Sequence, residues 1–202
     1  MMMLMFERYN DNKKIPIGGK MRRYKHYLLI FIAVIFSFTA CSKTYKIGDN
    51  CPAGGIVFYD KGFEQDGWRY LSVAPAEYEF NTQWSYIYNY IEGTSTDFGT
   101  GKQNTQLLAD FSNQNGEDNS AALLCLKLKI GNYSDWFLPS KDELNEMYKL
   151  KETIGGFQDT WYWSSSQNDD DYICAWNQFF KNGAQPSYFK EDTGRVRAIR
   201  AF

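Results

Sequence analysis

"DWFLPSKDELNEM", residues 135–147, is the stretch that decides the fold. Ser140 is followed three residues later by Glu143, which is the spacing of a capping box. In this motif the serine hydroxyl accepts a hydrogen bond from the glutamate amide, and the carboxylate accepts one from the serine amide. Asp142 and Glu143 also place negative charge in the first helical turn, where the helix dipole favours it. The stretch therefore predicts the start of a helix.

The carboxylates of this stretch could instead serve an enzyme. Glycosidases use two carboxyl groups as acid and base, and four are present here: Asp135, Asp142, Glu143 and Glu146. Adjacent Asp142 and Glu143 point to different sides of a helix, and nothing in the sequence sets the distance to a second carboxylate. We therefore predict no catalytic residue and keep a carboxylate-dependent glycan hydrolase as an alternative.

Strand-type runs flank the predicted helices on both sides. Two β-rich runs at residues 54–60 and 67–74, separated by "KGFEQD", predict a hairpin. Helices are predicted to begin at Asn104, at Asn119 or Ser120, and at Ser140. Three further β-type runs follow, "WYWSSS", "YICAWNQFF" and "GRVRAIRAF". This order predicts an α+β domain with two to three short helices, a mixed or antiparallel sheet, and both chain ends in one sheet.

The N-terminal 41 residues have the pattern of a lipoprotein signal peptide. Basic residues precede an apolar run at residues 28–39, which is shorter than the roughly 20 residues of a membrane-spanning helix. The run leads to "FTAC", which resembles a lipobox ending in a lipidated cysteine, here Cys41; the alternative is an ordinary signal peptide with a chance cysteine. Residues 1–20 resemble no part of a signal, which favours Met21 as the start of translation. We expect a signal at residues 1–41, a tether at 42–50 and one globular domain at 51–202.

The charge of the remaining chain excludes one class of partner. Residues 1–41 hold seven of the 22 Lys and Arg and two of the 24 Asp and Glu, so the remainder carries 15 cations against 22 anions, a formal charge of −7. Nucleic-acid binding needs a basic surface, so we predict no nucleic-acid partner.

Histidine and cysteine usage narrows the chemistry further. The only histidine, His26, lies in the predicted signal, which leaves no Ser-His or Cys-His pair and no His-ligated metal site in the mature chain. Cys51, Cys125 and Cys174 have no metal-type spacing, and in an oxidising envelope they allow either one disulfide or three buried thiols. We predict no metal and no cofactor, since "GTGKQNT" (residues 99–105) also departs from the phosphate-loop pattern.

The run "WSYIYNY" contains the aromatic candidates for ligand binding. Trp84, Tyr86, Tyr88 and Tyr90 recur at spacing two, so an extended chain would place them on one side. Such a face suits sugar stacking and protein contacts, because Tyr and Trp combine apolar area with a hydrogen-bonding tip. Packing of this face on the core is the alternative.

Three arginines near the C-terminus are the charged candidates. Arg195 and Arg197 alternate along one strand face, where they could bind an anionic ligand or pair with carboxylates of the domain. Arg200 breaks the alternation, and we expect it to be tied to a carboxylate such as Glu143.

Seven runs, in their order along the chain, carry a family resemblance: "YKIGDNCPAGGIVFYDKG", "GWRYLSVAP", "GTGKQNT", "DWFLPSKDELNEMYK", "YWSSS", "AWNQFF" and "VRAIRAF". Together they resemble the C-terminal domain of the Legionella collagen-like adhesin family, over about Tyr45–Phe202. The resemblance implies an extracellular C-type-lectin-like domain that attaches to glycans, glycosaminoglycans or matrix, with homotrimerisation as a further possibility. No collagen-like repeat is present.

The function expected from these observations is binding rather than catalysis. The chain is expected to be a lipid-anchored protein of the bacterial cell envelope, at the outer membrane or cell surface, with a non-enzymatic ligand-binding or adhesion domain. The alternatives are a structural envelope lipoprotein without a soluble ligand and the carboxylate-dependent glycan hydrolase.

Overall fold

The computed structural model describes residues 43–202; Cys41 and the predicted signal lie outside the described residues. Tyr45–Phe202 form one unit. Its strands and helices follow one another as β1 Ile56–Gln65, β2 Trp68–Val73, a 3₁₀ turn Ala76–Tyr78, β3 Phe80–Gln83, α1 Gly101–Gln114, α2 Ala121–Lys127, α3 Lys141–Lys149, α4 Lys151–Ile154, β4 Trp161–Gln167, β5 Cys174–Phe179, β6 Ser187–Phe189, β7 Thr193–Val196 and β8 Ile199–Ala201.

The strands form two sheets, which confirms the predicted α+β class. The smaller sheet is antiparallel with the order β1-β2-β8, so the first and last strands of the described region share one sheet, as predicted. The larger sheet has the order β3-β7-β4-β5-β6 and is mixed, because β4 and β7 run parallel. The described region has four helices rather than two to three, since the single turn of α4 follows α3 directly.

The β1–β2 hairpin is longer than the sequence predicted. Residues 61–66 were expected to form the turn, but β1 continues to Gln65, which pairs with Trp68. Asp66 and Gly67 make the turn alone, with φ angles of 56° and 78°. Two consecutive residues with positive φ are typical of the tight hairpin turn whose twist matches that of the strands.

The predicted capping box is present at the start of α3. The Ser140 amide donates to Glu143 Oε2 at 2.7 Å, and the Glu143 amide donates to Ser140 Oγ at 3.3 Å. Glu143 also accepts a hydrogen bond from the Gly99 amide at 3.2 Å, just before α1. A Cβ on Gly101 would lie 2.2 Å from Glu143 Oε2, so only glycine lets the first residue of α1 approach this carboxylate. One buried glutamate therefore accepts hydrogen bonds from backbone amides at the starts of two helices.

Helix α1 begins at Gly101, next to the Glu143 carboxylate, and not after Asn104 as predicted. Asn104 was expected to cap this helix, but it lies inside the first turn, and its side chain holds the preceding loop instead. Its Oδ1 accepts from the Ser95 amide at 3.0 Å, and its Nδ2 donates to the Ser95 carbonyl at 2.7 Å. Asn104 thus orders the loop that brings Gly99 to Glu143.

The three cysteines of the described region are buried free thiols. Cys51, Cys125 and Cys174 form no disulfide, so of the two sequence alternatives the structure has the unbridged one. Burial raises the pKa of Cys174 to about 11, and burial also raises the pKa of Cys125. Both thiols are therefore poor nucleophiles at neutral pH.

Candidate ligand-binding groove

The structure divides the predicted aromatic run between the core and the surface. Trp84 is only 2% exposed, and its indole donates to the Ser164 carbonyl at 2.7 Å. Tyr86, Tyr88 and Tyr90 are exposed. The expectation of one shared face is wrong for Trp84, because strand β3 ends at Gln83 and the run is not an extended strand.

Buried Lys190 anchors the exposed tyrosines. Its Nζ donates to the Asn89 carbonyl at 3.0 Å and to Gln167 Oε1 at 2.8 Å, and lies 4.8 Å from the centre of the Trp84 ring. Gln167 Oε1 also accepts from the Ile91 amide at 3.0 Å. Burial lowers the pKa of Lys190 to about 8. The loop between Tyr88 and Ile91 is thus held by one buried cation and one amide.

Replacing Lys190 by methionine is expected to lower the free energy of unfolding by about 2 kcal/mol, since the buried Gln167 Oε1 and the part-buried Asn89 carbonyl lose a charged donor. Hydrogen exchange at the Ile91 amide should accelerate. The pKa of Lys190 is about 8 in the folded protein and near 10.5 in the unfolded chain. Between these two pH values the unfolded chain binds more protons, so the stability of the wild type relative to this variant should rise with pH. Exposed Lys102→Met is the control. Unchanged exchange at Ile91 would contradict the anchoring role.

The three arginines have partners inside the domain. Arg195 forms an ion pair with Glu79. Arg197 is 3% exposed and donates to the carbonyls of Ala74 and Gly155 at 2.9 and 2.8 Å, so a ligand at the surface does not reach it. Its assignment to a ligand surface is therefore corrected: the side chain links the segments that contain Ala74 and Gly155 through hydrogen bonds.

Arg200 pairs with a carboxylate, as expected, but its partner is Asp135 and not the suggested Glu143. Its Nε lies 2.6 Å from Asp135 Oδ1. Glu143 is unsuited to the role because it is 1% exposed and faces backbone amides.

A groove that the sequence analysis missed crosses the larger sheet. Two depressions of about 510 and 230 Å³ adjoin at Trp161, Thr193 and Gly194, and we call them together the Trp161 groove. The first is further lined by Asn81, Gln158, Asp159, Thr160 and Arg195. The second is further lined by Trp163, Asn177, Tyr188 and Asp192.

Trp161 is the aromatic wall between the two depressions. It opens β4 opposite Phe179 of β5, and the two rings stack with centroids 4.1 Å apart. The Tyr188 ring of β6 lies 4.9 Å away at 56°. Three neighbouring strands therefore fix the orientation of a half-buried indole at the surface.

Gly194 lets β7 pass closely over the groove floor. A Cβ at this position would lie 2.7 Å from Trp163 Nε1, so a larger residue would displace that indole. Trp163 Nε1 donates to the Thr82 carbonyl at 3.2 Å, which fixes the ring below β7. Asn177 is buried at the same floor, and its Oδ1 has no hydrogen-bond partner.

Polar groups surround the aromatic wall. Asp159 and Asp192 supply carboxylate acceptors, and Gln158, Asn81 and Thr193 supply amide and hydroxyl groups. An aromatic surface with several acceptors and few unpaired cations suits a ligand that carries both apolar C–H faces and hydroxyl donors. Sugars have this composition.

A second cleft, of about 590 Å³, lies between the β1–β2 hairpin and α1, and we call it the Glu143 cleft. Its three carboxylates come from Asp66, Asp135 and Glu143. Asp135 is paired with Arg200, and both oxygens of Glu143 accept backbone hydrogen bonds. Burial raises the pKa of Glu143 to about 7, outweighing the amides that favour its ionised form.

Among residues 43–202, no group of three or more His, Cys, Asp and Glu side chains is arranged to hold a metal ion. Helices long and apolar enough to cross a bilayer are likewise absent from this range.

Comparison with protein-family models and with curated proteins finds no match for the chain. The function must therefore be argued from the geometry of the groove and from the sequence pattern.

Proposed function

We propose that the protein is a lipid-anchored component of the bacterial cell envelope whose α+β domain binds glycans in the Trp161 groove. The N-terminal pattern ending at Cys41 supports the anchor, and the resemblance to the C-type-lectin-like adhesin domain supports an extracellular binding role. In this proposal the domain is displayed at the outer membrane or cell surface, and its role is adhesion without catalysis.

The observation that carries the proposal is the fixed indole of Trp161 among polar side chains. Its contacts with Phe179 and Tyr188 orient the ring before any ligand arrives, which reduces the entropy lost on binding. Sugar rings stack on such indoles through their C–H faces, while their hydroxyls donate to acceptors at the side. Asp159 and Asp192 lie on the two sides of Trp161, one in each depression.

The charge of the groove favours a neutral glycan over a sulfated one. Arg195 is the single cation of the lining, and it is already paired with Glu79. Asp159 and Asp192 would repel sulfate groups. The proposal therefore departs from the glycosaminoglycan binding that the adhesin resemblance implies.

Binding is also favoured over hydrolysis. A glycosidase needs two carboxyl groups that are free to act as acid and base on the scissile bond. In the Glu143 cleft, Asp135 and Glu143 are already bound to Arg200 and to backbone amides.

Replacing Trp161 by alanine is expected to weaken binding of a neutral oligosaccharide at least tenfold, since aromatic stacking and the area buried with it contribute about 1.4 kcal/mol or more. A glycan array with the full-length chain in detergent would select the ligand, and calorimetry would give the affinities. Phe63→Ala is the matched control, because Phe63 is 61% exposed on the β1–β2 hairpin.

Neutralising one carboxylate of the groove tests the preference for neutral glycans. Asp192→Asn should weaken binding of the neutral ligand and should not create affinity for heparin. Preferential binding of sulfated glycans by the wild type, or full affinity in a folded Trp161→Ala variant, would contradict the proposal.

A further inference from the structure

Four exposed aromatic residues outside the groove come from neighbouring chain segments at the β6 edge of the larger sheet: Tyr88, Tyr90, Tyr172 and Phe189. We call this set the aromatic face. Each is between 37% and 50% exposed. The groove uses none of them.

Contacts between three separate chain segments bring the aromatic face together. The Tyr90 and Tyr172 rings meet edge to face with centroids 6.5 Å apart. Phe189 pairs with Cys174, two residues after Tyr172, at the β5–β6 register. The Glu191 carboxylate, two residues after Phe189, is the main cause that raises the pKa of Tyr88 to about 12.

Lys190 makes this arrangement rigid. Its amide donates to the Ile173 carbonyl at 3.0 Å, while its Nζ holds the Asn89 carbonyl between Tyr88 and Tyr90. The aromatic side chains are therefore presented by a fixed backbone, which lowers the entropy lost when a partner binds.

The exposed charges of the segments that carry the aromatic face are all negative. The segments at residues 86–92, 169–174 and 187–192 carry six carboxylates and one cation. That cation, Lys190, is buried and bound to Asn89 and Gln167. The six acidic side chains are exposed: Glu92, Asp169, Asp170, Asp171, Glu191 and Asp192.

We propose that the aromatic face is a docking surface for a basic, arginine- or lysine-rich segment of a partner protein. Cations over Tyr and Phe rings gain cation–π attraction, and the surrounding carboxylates complement their charge. Exposed aromatic residues are also enriched at the centres of protein interfaces, with polar residues at the rim. An anionic partner would meet repulsion from all six carboxylates.

The probe for this surface is fluorescein-labelled octa-arginine, titrated with the detergent-solubilised full-length chain and followed by fluorescence anisotropy at about 50 mM salt. Wild type should bind, and the double variant Tyr90→Ala/Tyr172→Ala should bind roughly tenfold more weakly. Replacing Asp169, Asp170 and Asp171 together by Asn should weaken binding by at least as much.

A charge-matched control separates this surface from general attraction to an acidic protein. It replaces Glu64, Asp110 and Glu152, which are exposed on β1, α1 and α4, by their amides. The control should keep affinity within about twofold of the wild type. Trp161→Ala should leave octa-arginine binding unchanged, so failure of the glycan proposal would be visible separately.

Three results would overturn the inference. One is equal weakening in the control triple variant, and another is full affinity in the folded tyrosine double variant. The third is self-association in analytical ultracentrifugation that Tyr90→Ala/Tyr172→Ala abolishes, because the aromatic face would then be an interface between copies of this chain.

Discussion

Replacing Glu143 by alanine is expected to lower the free energy of unfolding by about 3 kcal/mol. Its carboxylate accepts hydrogen bonds from the amides of Ser140 and Gly99, at the starts of α3 and α1. Removal would leave the buried Ser140 amide without a partner, at a cost of roughly 1–3 kcal/mol, and the part-buried Gly99 amide would also lose its acceptor. Chemical denaturation monitored by circular dichroism would measure the loss.

The neighbouring Asp142 offers a matched control. It stands in the same helical turn but is exposed, so Asp142→Ala should change the free energy of unfolding by less than about 0.5 kcal/mol. Equal losses in the two variants would show that charge at the helix start, and not the buried hydrogen bonds, stabilises the domain.

The same carboxyl group should make stability depend on pH. Its pKa is raised from 4.5 to about 7, so the folded protein binds the proton more tightly than the unfolded chain does. Stability relative to Glu143→Gln should therefore be greatest below about pH 4.5 and should fall as pH rises to about 7, by up to about 1.4 kcal/mol per pH unit. A flat difference between wild type and Glu143→Gln over this range would contradict the raised pKa.

Replacing Cys41 by alanine is expected to move the protein from the membrane fraction to the soluble fraction. Lipid chains contribute about 0.8 kcal/mol per buried CH₂ group, so several acyl chains make release from the membrane negligible. Loss of the attachment sulfur would remove this contribution completely. Fractionation after a carbonate wash would report the change.

Cys51→Ala is the control for this experiment. Cys51 is a buried thiol at the start of the domain, so its replacement should leave the fractionation unchanged even where it lowers stability. Continued sedimentation of Cys41→Ala with carbonate-washed membranes would contradict the lipid anchor.

Local patterns predicted the fold well where one stretch of chain contains all the information. The capping box of Ser140 and Glu143 involves residues three apart, and the structure has both of its hydrogen bonds. The predicted start of α1 at Asn104 was wrong, because the helix begins at Gly101 against the carboxylate of Glu143, 42 positions later in the chain. Spacing along the sequence does not reveal such a contact.

The candidate site was less accessible to sequence reasoning. The Trp161 groove gathers side chains from β3, from the residues around the start of β4, and from β5 to β7, and only the folded sheet makes them neighbours. The aromatic run at Trp84–Tyr90 was a useful signal for exposed tyrosines, but alternation could not show that β3 ends before Trp84. The burial of Arg197 likewise depends on carbonyls of distant segments.

The pairing of the last strand with β2 has a consequence for how the domain is displayed. The Phe202 ring lies 5.4 Å from that of Tyr45, so the C-terminal residue is next to the point where the predicted tether enters the domain. With the proposed lipid anchor at Cys41, an epitope tag placed at Phe202 would lie near the predicted tether and is expected to be less accessible to antibodies on intact cells. A tag inserted at the Asp66–Gly67 turn of the β1–β2 hairpin is the better reporter of surface display.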